Sequence, residues 1–331
     1  SFNPFSVQAR TASIVENTII ANASAPTADA QGVGGGPTVL SGGIEIQSLN
    51  GAEDSFDIEI IRNEILSHIA EGSVNGINLR AEADALILAD ITDNSIRFNV
   101  DDGINTSDRQ QPTDGRDVSV SILKNTISDN DGAGIRFNTS TGIQQVAVVG
   151  LEGADPVDGQ LYQNIISNNG REGIRVDTGA GGSQISVAGN EINDNGRISS
   201  TASSDLVNPN RTNAGGSILG SGILVDASGT DIAVTGNEFR TNNGAGIDMN
   251  RDGTISIRRN SITFNKNDGF ETSGSVEAVL LGNFIGSNEG RGIDVLVAGG
   301  ANANYMIGDG QEAGRNRIIG NQEEGIYYVT S

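Results

Sequence analysis

Asp248, Glu271 and Asp294 stand 23 residues apart, each directly after the same kind of dipeptide, Gly-Ile or Gly-Phe. Carboxylates repeated at a constant interval suit two kinds of chemistry. Their hard oxygens fit calcium, and a pair of them fits acid–base work on a glycosidic bond. Transition metals are a poor match, because the chain has no cysteine and one histidine. Arg136 and Arg175 occupy the same position in two earlier copies of the pattern, and Asp177 and Asp226 extend the acidic series two residues on. The plainer alternative is a charge run splayed into solvent, with Arg175 and Arg291 nearby. From residue types alone, weak calcium binding by Asp248, Glu271 and Asp294 is the expected site chemistry, with no catalytic residue assigned.

The elements that must carry these residues are legible in a repeat. A first asparagine column runs Asn17, Asn63, Asn94, Asn125, Asn164, Asn190, Asn237, Asn260, Asn283 and Asn316. Two residues later stands Ile, or Phe239 in one copy. Five residues after the first asparagine comes a second column, asparagine in every copy except His68. A glycine follows in each copy, and then Ile or Phe270. Segments such as "VSVSILKNTI" and "GIRF" alternate apolar and polar residues, the mark of short strands. The shortest copy is 23 residues, too tight for hairpins with turns but right for one rung of a parallel coil. Rungs stack at roughly 4.8 Å, so ten make a rod of about 48 Å. The predicted fold is all-β: one right-handed parallel β-helix over residues 1–331, with about ten rungs and loop insertions.

Each residue type then has a structural task. The isoleucines point inward as aliphatic columns. The asparagines sit at bends, where they tolerate left-handed backbone and can bond from rung to rung. The glycine stands where a side chain would clash. On such a rod Asp248, Glu271 and Asp294 fall on adjacent rungs and face outward. Like charges so placed are destabilising and invite a cation or a raised pKa. Insertions are expected at about 23–42, 69–75 and 196–221 within the bend, and at about 105–117, 139–160 and 298–313 after the Gly-Ile strand.

Composition narrows the partners. Forty-two acidic residues oppose 20 basic ones, a formal charge of −22. That field repels nucleic acid, anionic membranes and polyuronate chains. No apolar run is long enough to enter a bilayer as a spanning segment. Aromatic residues are 4 % with no tryptophan, so no extended sugar-stacking platform is visible. Tyr327 and Tyr328 are adjacent and alternate in direction, so one of them closes the core. His68 falls in an asparagine column and reads as a bend residue rather than a catalyst. Asp101-Asp102 reads as a solvated turn, with calcium binding second.

The asparagine, isoleucine and glycine columns resemble the right-handed parallel β-helix repeat proteins of the pectate-lyase superfamily. The similarity is most evident from "LLGNFIGSNEGRGIDV" through "RNRIIGNQEEGIYYV" and resembles repeat regions of large bacterial surface and secreted proteins. The resemblance implies the fold and leaves function open, since the superfamily holds lyases, hydrolases, epimerases, tailspikes and adhesive proteins. The polygalacturonase-like Asn-Thr-Asp and Gly-His-Gly are missing, and the epimerase-like Asp-Pro-His is replaced by Asp155-Pro156-Val157.

The resulting expectation is a secreted or cell-surface structural or adhesive protein without catalysis. The alternative is a polysaccharide lyase or glycoside hydrolase working through the carboxylate column. Neither end of the sequence shows an amphipathic capping helix. Exposed rung faces would be covered by head-to-tail contact with another copy, by flanking domains of a larger chain, or by a partner. Polysaccharide is the expected further partner, and nucleic acid is not expected.

Overall fold

The computed structural model describes residues 10–21, 43–47, 55–67, 75–81, 86–108, 118–139, 145–151, 163–178, 183–196, 220–297 and 303–330. They form three parallel sheets of ten strands each. A rung contributes one strand to each sheet, and every strand pairs with its equivalents in the rungs before and after it. Rung seven, for example, is Thr230–Thr235, Glu238–Arg240 and Ile247–Met249. The protein is therefore a right-handed parallel β-helix of ten rungs, as the repeat predicts.

The alternation seen in the sequence sets which side chains turn inward. In Val118–Leu123 the valines and isoleucine are buried, while the serines and leucine between them are partly exposed. The isoleucine after each first-column asparagine forms the inner column of the second sheet. Ile65, Ile96, Ile127, Ile166, Ile192, Phe239, Ile262 and Ile285 are all fully buried there. The residue after each glycine does the same in the third sheet, from Ile77 to Ile293. Burying one such side chain contributes about 1.5–3 kcal/mol, so stacking the columns is the main force holding the coil.

The asparagines form two polarised ladders. Asn94 donates its backbone N–H and its Nδ2 to Oδ1 of Asn125, at 2.9 and 3.0 Å. Its Nδ2 also reaches the carbonyls of Ile60 and Thr92. The same pattern repeats through Asn283 and Asn316 in the first column, and from Asn99 to Asn321 in the second. The left-handed conformation expected of the asparagines is adopted instead by the residue before them. Lys124, Asp129, Thr241, Arg259 and Phe264 all have φ between 54° and 59°. Asparagine is kept for its amide, which bonds both neighbouring rungs, and its neighbour takes the backbone strain.

The glycine column is explained by close approach. A Cβ on Gly134 would lie 2.6 Å from Ile166 Cγ2 and 2.7 Å from the carbonyl oxygen of Gly173. Three expected insertions are partly strand. Ile104–Asp108, Gln145–Val149 and Asn304–Ile307 all pair in register, because backbone pairing along the stack outweighs their weaker alternation. His68, Asp155, Tyr162, the insertion at 23–42 and that at 69–75 apart from Asn75 lie outside the described residues, as does most of 196–221. Among the described residues no helix is long and apolar enough to cross a membrane.

Candidate functional site

The third sheet turns one outward column along the rod. In register it reads Glu45, Asn78, Asn105, Arg136, Arg175, Leu224, Asp248, Glu271, Asp294 and Tyr327. The 23-residue spacing thus does place Asp248, Glu271 and Asp294 on consecutive strands. The column is not a solvated charge run, however. Asp248 is 5 % exposed, Leu224 2 % and Asn78 5 %. Glu271 and Asp294 are only partly exposed.

The amino-terminal half of this face is neutralised internally. Asp177 Oδ2 accepts from Arg136 at 2.9 Å and from Arg175 at 2.6 Å. Arg175 also meets Glu172 Oε1 at 3.2 Å. Asn105 Nδ2 donates to Asn78 Oδ1 at 2.8 Å. At the far end, Arg291 Nη1 donates to Asp294 Oδ2 at 2.7 Å, while its Nε reaches Glu324. The guanidinium of Arg291 lies 3.8 Å from the centre of the Tyr327 ring. Tyr328 is in register with the buried Val295 but is 54 % exposed, so it does not close the core as expected; it meets Tyr305 edge-on at 6.1 Å.

Between these clusters the carboxylates lack a cation. Neither Asp248 nor Glu271 has an ion pair among the described residues. Burial pushes Asp248 well above the usual carboxylate range, and the charge of Glu271 adds to it. Glu271 is raised to about 7, by burial first and then by Asp268 and Asp294. Asp268, raised to about 6 chiefly by burial, accepts the backbone N–H of Arg291. Among the described residues three buried carboxylate oxygens meet no donor: Glu172 Oε2, Asp248 Oδ1 and Asp294 Oδ1. All three lie on this face. Unpaired buried acceptors are costly, so they mark where something else could bind.

Asp102 departs from the sequence expectation of a solvated turn. It is 2 % exposed and accepts the N–H of Ala133 at 2.8 Å, with Arg136 at 3.8 Å. The bend folds it beneath the next rung, and burial raises its pKa, with Asp101 adding to the effect. Its role is to cap a backbone donor. The register brings the three residues of the calcium expectation, Asp248, Glu271 and Asp294, onto consecutive strands. Among the described residues no group of three or more acidic or histidine side chains is arranged to hold a metal ion. Asp294 is ion-paired with Arg291. Sequence reasoning missed Glu172 as part of this face; its place one residue before the column glycine is the signal that carries it.

Residues 221–331 match the family model described as right handed beta helix region. No curated protein matches the sequence. Among solved structures, the A-module of a mannuronan C-5 epimerase from Azotobacter vinelandii is 15 % identical. That match covers 88 % of this chain and 79 % of the module, with a TM-score of 0.51. A periplasmic alginate epimerase is 11 % identical over 87 % of this chain and 73 % of its own, with a TM-score of 0.41. Tailspike protein 3 of bacteriophage CBA120 is 12 % identical, over 89 % and 52 %, with a TM-score of 0.32. At these identities what is shared is the fold: this is a right-handed parallel β-helix protein.

Proposed function

We propose that this is a secreted or cell-surface β-helix protein that binds rather than transforms. Its ligand is a hydroxyl-rich glycan lying along the outer face of the third sheet. The observation that carries the reading is the set of donor-less carboxylate oxygens of Glu172, Asp248 and Asp294 on one face. A surface with surplus buried acceptors is complemented by a ligand with surplus donors, and sugar hydroxyls supply them. The rigid rod presents these acceptors without ordering a loop, which lowers the entropic cost of binding. The epimerase that shares this fold acts, by its name, on mannuronan. A polyuronate is a poor ligand here, because a chain with formal charge −22 and an uncompensated carboxylate column repels it.

The test is calorimetric titration with neutral, amino and uronate oligosaccharides. Hydrogen exchange then maps any ligand that binds. Binding with protection confined to strands Ile247–Met249, Phe270–Ser273 and Ile293–Val297 supports the reading. No binding by any class, or protection confined to the first sheet, refutes it.

One observation favours a second reading. Glu271, raised to about 7, faces Asp294 on the neighbouring strand. A protonated acid beside an ion-paired carboxylate is the arrangement of a glycoside hydrolase. Release of reducing ends from a polysaccharide, abolished by Glu271→Gln, would establish catalysis and replace the binding role.

A further inference from the structure

We propose that the glycan carries protonated amines, and that the column between Asp248 and Glu271 is a subsite for an ammonium group. This inference rests on the glycan reading and specifies its ligand class. Elsewhere on the same face, carboxylates are balanced by internal cations. At rungs four and five, Arg136 and Arg175 neutralise Asp177, and Arg175 also meets Glu172. At rung nine, Arg291 neutralises Asp294. Each of these carboxylates has a guanidinium within 3.2 Å. Asp248 and Glu271, on rungs seven and eight, have none among the described residues. The chain pairs guanidiniums with the carboxylates on both sides of this gap; within it no described cation pairs directly, and Arg291 acts on Glu271 only at longer range.

Asp248 gives the independent sign that a ligand belongs there. It is 95 % removed from solvent; Asn250 hydrogen-bonds its side chain, but its Oδ1 has no hydrogen-bond partner. Glu271 exerts the largest charge effect on it and lies directly in register on the next strand. Glu271 uses Oε2 to accept from Asn267 at 2.9 Å. Asp294 Oδ1, one strand further, is likewise without a donor. These acceptors succeed one another along parallel strands roughly 4.8 Å apart.

Three species could satisfy such acceptors. A shared proton serves one pair of oxygens and leaves the other without a donor. A metal ion needs several ligands converging on one point, and no such group of three is present among the described residues. An ammonium group has three rotatable donors, one charge, and tolerates acceptors spread around it at hydrogen-bond distance. On a sugar it sits among hydroxyls that can reach the flanking orphans.

The experiment titrates the full chain, at an ionic strength near 0.15 M, with four trimers: glucosamine, N-acetylglucosamine, glucose and lysine. The glucosamine trimer is expected to bind at least tenfold more tightly than the other three. Asp248→Asn is expected to weaken it at least tenfold. Asp57→Asn removes a carboxylate at an exposed position on the first sheet, and is expected to leave binding unchanged. Should Asp248→Asn fail to fold, Glu271→Gln takes its place. Equal losses in both aspartate variants would reduce the effect to general attraction of a polycation and overturn the subsite. Equal binding of the glucose trimer would overturn the amine while sparing the glycan reading. Trilysine binding as tightly as the sugar would overturn the sugar assignment. No binding of any trimer would remove both.

Discussion

Glu271→Gln removes one ionisable group from the column while keeping an oxygen for Asn267. In the folded chain Glu271 is raised from 4.5 to about 7 by burial and by its acidic neighbours. An acid with a raised folded pKa binds its proton more tightly folded than unfolded. Its contribution is therefore most favourable below pH 4.5, and is lost as pH rises through the folded value near 7. The full difference corresponds to roughly 3 kcal/mol of lost stability above pH 7. Glutamine carries no such penalty. The variant should match the parent within about 0.5 kcal/mol at pH 4 and exceed it by about 2–3 kcal/mol at pH 8. Urea denaturation followed by circular dichroism at half-unit pH steps measures this directly. The gain should develop between pH 4.5 and 7 and level off above that window. A pH-independent difference, or a variant weaker than the parent at pH 8, would refute the claim that Glu271 is held without adequate countercharge.

Three further outcomes are expected. Asn125→Ala removes bonds to Ile91, Leu123, Asn94 and Asn164, and should cost about 3–5 kcal/mol in urea denaturation, whereas Thr126→Ala at an exposed position should cost under about 0.5. Thr241→Gly relieves a β-branched residue held at φ 54°, and should raise stability by about 0.5–1 kcal/mol, read from the same transition. Calcium, lacking a convergent set of three carboxylates among the described residues, should bind no more tightly than about millimolar by calorimetry; a micromolar site lost in Glu271→Gln would show that the column rearranges to coordinate it.

The repeat made most of the coil readable before any coordinates. Asparagine, isoleucine and glycine recur at intervals that one rung geometry satisfies, and side-chain alternation has a period of two wherever a strand has one buried face. Register followed from the same columns, because slipping a strand by one residue would turn Ile247 outward and Asp248 into the core. The spacing of Asp248, Glu271 and Asp294 therefore gave their alignment correctly. It did not give their environment. Whether an outward carboxylate is solvated depends on side chains from other rungs, whose packing no periodicity encodes. Asp248 proved buried, Asp294 was claimed by Arg291, and Asp102 was folded under its neighbour to cap Ala133. Glu172 joined the same face from a bend position that carries no common residue type among the copies. The sequence by itself determined the fold, because stacking rewards identical residues at identical places. Only the tertiary structure decided which carboxylates have partners, because pairing is settled by the few side chains that differ from rung to rung.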